Sequence, residues 1–286
     1  MTDVTRAENP LDRASVMAHH RPMTGATLRH ELDPAVGGWI GERLARVGTT
    51  GGTTVGHLVP RGFAAYARVL HRASDGGDGL RRWADVAADH GTTLHPLAQF
   101  WRLVRWTGEP WAVQGDWVAM DGQLDREQLP ALLDVLAVRT ARGADADVVA
   151  ALWEGYGWVQ GGSAVSVLSA GPTIATVEHP PPAFGPEVMA APRLELPGRA
   201  YLLFRGSLGA VLPFFTVGEL GFWGQTPNLL WPADRTWCVA TEIDLDSTVV
   251  GGSRGLVDAV LAHPDVEAFE VLQDDTLAFD GDTVNV

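Results

Sequence analysis

"TWCVATEIDLDSTVVGGS", residues 236–253, alternates apolar and polar side chains in the way that a half-buried β-strand does. One face of this strand carries the side chains expected in the core, which are Trp237, Val239, Thr241, Ile243 and Leu245. The opposite face ends in three carboxylates, which belong to Glu242, Asp244 and Asp246. Successive side chains on one face of a strand lie about 7 Å apart, so the three acids are expected to form a row.

This row of acids has two interpretations. Acidic residues on an exposed strand face need no further cause, and we favour such a solvated face. In the alternative, neighbouring carboxylates hold a hard cation such as Mg²⁺ or Ca²⁺, or an arginine such as Arg205 or Arg235. The one cysteine and the nine scattered histidines form no zinc-type cluster, and we predict no metal site.

The second half of the chain is predicted to form a mixed β-sheet with covering helices. Besides the opening stretch, strands are predicted at 148–158, 200–208 and 266–272. A helix is expected after Ser253, a suitable N-cap, and is expected to stop at Pro264. The Pro-rich segment 180–197 cannot lie inside a sheet and is predicted to be a surface loop.

The first half of the chain is predicted to be mainly helical. Five stretches show helical spacing of apolar residues or helix-end signals, and they cover residues 31–48, 59–71, 80–91, 95–106 and 129–140. We therefore predict an α+β protein with a frayed N-terminus at 1–22, a mainly helical part at 23–143 and an acidic α+β part at 144–286.

The composition excludes several chemistries. All 21 basic residues are Arg, and the absence of Lys removes Schiff-base chemistry, pyridoxal-phosphate anchoring and the Walker A phosphate loop. No G-x-S-x-G elbow occurs, and no G-x-G-x-x-G follows a predicted strand. We expect no cofactor. The eleven Trp residues are expected to anchor the core, with some left to line clefts.

The net charge of −14 lies in the second half of the chain, where 5 Arg face 19 acids; residues 1–143 hold 16 of each. Such a surface repels phosphate backbones, so nucleic acid is excluded as its partner, whereas a cation or a basic protein is attracted. Solubility alone is the simpler explanation of the charge. No leader and no bilayer-spanning run is found, and we expect a cytoplasmic protein without a membrane partner.

Two aromatic segments supply the remaining candidate residues. In WEGYGW, Trp153 and Tyr156 surround Glu154 in the composition of a sugar or cation pocket, although aromatic packing is the simpler explanation. ALWEGYG and LLFRGSL share a pattern, and pairing of these strands is predicted to bring Glu154 near Arg205. The loop NLLWPADRTW adds Trp231 and Arg235, either as ligand contacts or as parts of a rigid turn.

Several stretches carry a resemblance to a known family. They are VPRGFAAYARVLH with RWADVAADHG, and LWEGYG with LPGRAYLLFRGSL and WPADRTWCVATEIDLDSTVVGGS. Together, over about residues 55–272, they resemble a family of uncharacterised soluble proteins from actinobacteria. The resemblance implies no activity and no site residues, because none is established for that family.

Two functions remain open at this point. The first is a non-catalytic binding or interaction protein whose acidic half engages a basic partner. The second is an enzyme or small-ligand binder with a polar pocket built from Glu154, Arg205, Glu242 and Asp244 and lined by Trp. The charge asymmetry and the missing catalytic motifs favour the first.

Overall fold

The fold is built on one large antiparallel sheet. A computed structural model describes residues 27–45, 53–75, 79–108, 117–161, 181–216 and 225–286, so the predicted frayed N-terminus at 1–22 lies outside the described residues. The strands are β1 (Arg29–His30), β2 (Ala65–Leu70), β3 (Ala73–Ser74), β4 (Leu80–Arg81), β5 (Val118–Ala119), β6 (Asp147–Trp153), β7 (Leu194–Leu196), β8 (Arg199–Ser207), β9 (Leu229–Pro232), β10 (Cys238–Thr241), β11 (Ser247–Gly252) and β12 (Ala268–Val271).

Helices cover the sheet and connect its strands. They are α1 (Gly38–Arg43), α2 (Val55–Leu58), α3 (Trp83–His90), α4 (Phe100–Leu103), α5 (Gln128–Arg139), α6 (Gly157–Gln160), α7 (Pro186–Ala190), α8 (Val211–Thr216) and α9 (Arg254–Leu261). The α+β class is confirmed, and so is the helix after Ser253, whose side chain accepts the Leu256 N–H at the start of α9.

The main sheet has the strand order β1-β8-β6-β9-β10-β11-β2-β12, with β7 also paired to β8, while β4-β3-β5 form a small second sheet. The prediction of a mixed sheet is wrong, because every described pair of neighbouring strands is antiparallel. Short connections such as the one between β10 and β11 reverse the chain direction, which makes neighbouring strands antiparallel.

The helix predicted at 59–71 is wrong. Residues Ala65–Leu70 form β2, which lies between β11 and β12 and is buried along its whole length. A strand covered on both faces needs apolar residues on both, so its sequence loses the two-residue alternation and looks like one side of a helix. The sheet therefore combines strands from both halves of the chain and is not confined to residues 144–286.

The opening stretch is a hairpin and not one long strand. β10 stops at Thr241, and β11 starts at Ser247, with Val239 opposite Val250 and Thr241 opposite Thr248. The predicted core face is right for Trp237, Val239 and Thr241, which are buried, but residues 242–246 form the turn. The three acids thus do not form a row on one strand face.

The Pro-rich segment is more ordered than the predicted surface loop. Within its described residues 181–197 lie α7 and the short strand β7, which pairs with β8. Pro192 precedes β7 and Pro197 follows it. Because both lie outside the strand, their lack of a backbone N–H removes no hydrogen bond from the sheet.

Two apolar layers hold the sheet. On one face α5, α8 and α9 pack over side chains such as Ala150, Leu202 and Val250. On the other face α1 and α2 cover residues such as Ala151 and Leu203. A third cluster joins the small sheet to α3 and α4. The predicted buried stripe of α5 is confirmed, since Leu132, Leu133 and Leu136 are buried in the first layer.

Gly122 fixes the loop before α5 against the β10–β11 turn. Its N–H donates to the Leu245 carbonyl at 2.9 Å, its φ is +69°, and a Cβ there would lie 2.8 Å from the Ile243 carbonyl oxygen. Any larger residue at this position therefore meets both backbone strain and a backbone clash.

We predict that Gly122→Ala destabilises the protein much more than Gly91→Ala. Gly91 has a similar φ of +61° but open space around its missing Cβ, so that variant carries only the left-handed penalty of about 1 kcal/mol. In Gly122→Ala the backbone clash should cost at least as much again. Its free energy of unfolding, measured in urea, should therefore fall by at least twice the loss of Gly91→Ala. Equal losses for the two variants would show that the contact with the turn contributes nothing.

Candidate functional site

Arg199 is the centre of a cluster of charged and aromatic side chains at one end of the main sheet. Its Nη2 donates to Glu242 Oε1 at 2.7 Å and to Asp244 Oδ2 at 2.6 Å, and its Nε donates to Glu242 Oε1 at 3.1 Å. The guanidinium carbon lies 5.1 Å from the centroid of the Trp153 ring. We call Arg199, Glu242, Asp244, Trp153 and Tyr156 the Arg199 site.

Strand register brings these residues together. β6 ends at Trp153, directly opposite Tyr201 on β8, and Arg199 begins β8 two residues earlier. The turn after Thr241 carries Glu242 and Asp244 to the same end of the sheet. Burial lowers the pKa of Arg199, but its bonds to Glu242 and the two negative charges outweigh that effect and raise the pKa overall.

Tyr156 forms the aromatic wall beside this pair of acids. Its ring lies 5.2 Å from the Trp153 ring in an edge-on arrangement and stacks at 5.9 Å on Trp158. Its hydroxyl oxygen accepts from Asn228 Nδ2 and Gln225 Nε2, each at 3.0 Å. Burial is the main cause that raises the pKa of Tyr156 to about 12, so the phenol stays protonated at neutral pH.

A buried polar row extends behind Tyr156 across the central strands. Thr241 Oγ1 lies 2.8 Å from Thr248 Oγ1, which lies 2.9 Å from His71 Nε2. His71 Nδ1 lies 2.6 Å from the Met120 carbonyl, which only accepts, so this nitrogen carries the proton and Nε2 accepts from Thr248. Burial lowers the pKa of His71 to about 4 and keeps the imidazole neutral.

Asp121 adds a further carboxylate to this end of the sheet. Its side chain reaches the surface, yet partial loss of solvent and the charges of Asp246 and Asp244 raise its pKa to about 6. The two carboxylates of Glu242 and Asp244 outnumber the one guanidinium of Arg199, so the net charge of the site is negative. Ionisation of Asp121 makes this net charge more negative.

The predicted approach of Glu154 to Arg205 is wrong, although their strands do pair. The antiparallel register puts Arg205 opposite Val149 and puts the Glu154 N–H on the Ala200 carbonyl, so the two charges lie at opposite ends of the strand pair. Glu154 binds Arg193 at 2.8 Å. Arg205 binds Asp147 at 2.6 Å and Glu31 at 3.4 Å.

Three other predicted residues lie away from the Arg199 site. Asp246 lies in the turn but bonds at 3.1 Å to Arg68, a fully buried arginine. Trp231 is 1 % exposed and belongs to the core. Arg235 stacks over Trp39 at 5.6 Å with a φ of +58°, as part of the turn before β10. Neither alternative partner proposed for the acids, Arg205 or Arg235, binds them.

Sequence reasoning missed Arg199, Asn228, Gln225 and Asp121. Arg199 had a detectable signal, since it follows Gly198 and opens an apolar strand, where a charge must find a partner. Asn228 likewise precedes the apolar strand β9 after a proline. Asp121 and Gln225 had no such signal, because only the tertiary fold brings their loops to this end of the sheet.

We predict that Asp246 is structural. Asp246→Asn leaves the buried Arg68 guanidinium without its counter-charge and should cost about 3 kcal/mol in the free energy of unfolding. Asp274→Asn is the matched control, because Asp274 pairs with Arg61 but is 72 % exposed, and its loss should cost less than about 1 kcal/mol. A control that costs as much as Asp246→Asn would contradict the assignment.

A second prediction concerns Asp121 and pH. The folded state binds the proton of the Asp121 carboxyl group more tightly than the unfolded chain does. Ionisation of Asp121 therefore destabilises the native protein as pH rises from about 4 through about 6. Asp121→Asn removes the charge and should raise the melting temperature at pH 7.5 but leave it unchanged at pH 4. Asp134→Asn, on the exposed side of α5, should show no such pH-dependent gap.

Further observations limit the kinds of site that the described residues hold. Among them no helix is long and apolar enough to cross a membrane, and no group of three His, Cys, Asp or Glu side chains is placed to hold a metal ion. Cys238 is buried, and burial raises the pKa of its thiol. Compared with protein-family models, curated proteins and solved structures, the chain matches none.

Proposed function

We propose that the chain is a non-catalytic binding protein that takes a small, positively charged polar ligand at the Arg199 site. The observation that carries this proposal is a local excess of negative charge beside aromatic rings. The carboxylates of Glu242 and Asp244 converge on the one guanidinium of Arg199, next to Trp153. Aromatic faces and carboxylates together are the usual means of recognising organic cations.

The carboxylates retain bonding capacity. Arg199 bonds to one oxygen of each acid, and Glu242 Oε2 and Asp244 Oδ1 make no hydrogen bond with the described residues. Asp244 is 73 % exposed, so a ligand reaches it without unfolding the turn. A cation placed there gains from both acids, and from Asp121 once that group is ionised.

A basic protein as the partner of the acidic half is our second proposal, and it draws on the same charge excess. It ranks lower because four of the five arginines in residues 144–286 already pair with acids nearby; these are Arg193, Arg199, Arg205 and Arg254. The carboxylates of this half that pair with no arginine lie on many separate helices, strands and turns. The Arg199 site is where acids and aromatic rings converge.

Binding of agmatine, a guanidinium compound without a carboxylate, tests the proposal. We expect millimolar or tighter binding by the full chain in low salt, followed by tryptophan fluorescence and calorimetry, with affinity that falls as salt screens the acids. Asp244→Asn should weaken binding about twofold to fivefold. Affinity should also rise between pH 5 and pH 7 as Asp121 ionises.

Asp134→Asn is the matched control, because it removes one exposed carboxylate from α5. Its affinity for agmatine should stay within about 1.5-fold of the wild type, since screening limits the reach of a surface charge to about 10 Å. Equal weakening by both variants would favour a diffuse acidic surface and the basic-partner proposal. Absence of any agmatine binding would overturn the small-ligand proposal.

A further inference from the structure

The hydrogen bonds around Tyr156 fix where its phenolic proton can go. Asn228 Oδ1 accepts the Trp153 N–H at 2.8 Å, and because a backbone N–H only donates, this atom must be the amide oxygen. The other terminal atom, Nδ2, is therefore an NH₂ group, which donates to the Thr241 carbonyl at 3.1 Å and to the Tyr156 oxygen.

Gln225 is oriented by the same reasoning. Its Nε2 faces the backbone carbonyls of Gly122 at 3.3 Å and Thr226 at 3.4 Å, which only accept, as well as the Tyr156 oxygen at 3.0 Å. Both amides that touch the phenol are thus nitrogen donors, and neither can accept its proton. Both amide side chains are buried, so this orientation is held by the core.

The phenol oxygen thus faces two amide NH₂ groups, and its own O–H makes no hydrogen bond with the described residues. An O–H with both lone pairs already accepting is a polarised donor, and chains of hydrogen bonds strengthen such donors. The Tyr156 ring lies 5.2 Å from the Trp153 ring, and the Arg199 guanidinium lies 5.1 Å from that same ring, so the phenol belongs to the wall of the Arg199 site. Its high pKa keeps the proton in place at neutral pH.

We infer that Tyr156 donates a hydrogen bond to the ligand, and that the ligand is a small cation carrying a carbonyl or carboxylate oxygen, as amino acids and their amides do. This inference rests on the proposed cation site and adds the acceptor that the ligand must present. Glu242 and Asp244 bind the positively charged end of the ligand, and Tyr156 binds its oxygen. A cation that lacks this oxygen gains no hydrogen bond from the phenol and binds more weakly.

The test compares agmatine with L-argininamide, which adds a carboxamide oxygen to the same guanidinium chain, and with L-arginine, which adds a carboxylate. The full-length wild type should bind L-argininamide about tenfold more tightly than agmatine, the usual effect of one hydrogen bond to a buried donor. In Tyr156→Phe this preference should fall to about one. L-Arginine should behave like L-argininamide at high salt, where repulsion of its carboxylate is screened.

Tyr156→Phe should still fold, because Asn228 Nδ2 keeps the Thr241 carbonyl and Gln225 Nε2 keeps backbone carbonyls. The melting temperature of the variant checks this. Tyr66→Phe is the control: it removes a phenol on β2 whose O–H already donates to the Pro60 carbonyl at 3.1 Å, and it should keep the tenfold preference.

The outcomes separate the two proposals. If neither agmatine nor the amide binds, the cation site itself is wrong. If both bind the wild type equally, or if Tyr156→Phe keeps the preference, the cation site stands and the role of Tyr156 is overturned. A preference lost in Tyr156→Phe and kept in Tyr66→Phe supports the inference.

Discussion

The side-chain amide of Asn228 is the contact on which this end of the sheet depends. It accepts the last N–H of β6 from Trp153 and donates to the Thr241 carbonyl where β10 stops. Strands that end inside a protein leave backbone groups that cannot reach water, and each one left unpaired costs about 1–3 kcal/mol. One amide thus pairs the backbone groups at the ends of both β6 and β10, beside the turn residues and the aromatic wall.

Much of the fold was predictable because the relevant signals are local. The strand β6, the helix α9 with its Ser253 cap and the buried stripe of α5 follow from spacing within a dozen residues. β2 was mistaken for a helix because burial on both faces removes the alternation. The turn at 242–246 was missed because its acids continue the two-residue pattern of β10 after the strand has ended. In both cases, tertiary context set a conformation that the local pattern does not encode.

The site was predictable only in part, since register decides which charges meet. Trp153, Tyr156, Glu242 and Asp244 were identified from composition, and they do converge. As one alternative the acids were predicted to hold Arg205 or Arg235, although antiparallel pairing puts Arg199 at that end of β8. A strand of nine residues spans about 30 Å, so choosing the wrong end moves a charge across the protein. Pairing direction cannot be obtained from the similarity of two short segments.

Charge and depth are arranged in a consistent order at this end of the sheet. The innermost groups, His71, Thr248 and Thr241, are neutral dipoles with their hydrogen bonds made, which is the form in which polar groups are tolerated in a core. Apart from the buried ion pair of Arg68 and Asp246, the charged groups stay at the rim, where water offsets their desolvation, and Tyr156 stands between the two layers. An ionised group pushed inward would lose its hydration against neutral dipoles, whereas a carbonyl oxygen there meets a donor already aimed at it. The same order therefore orients an incoming molecule, with its charge outward at the acids and its acceptor inward at the phenol.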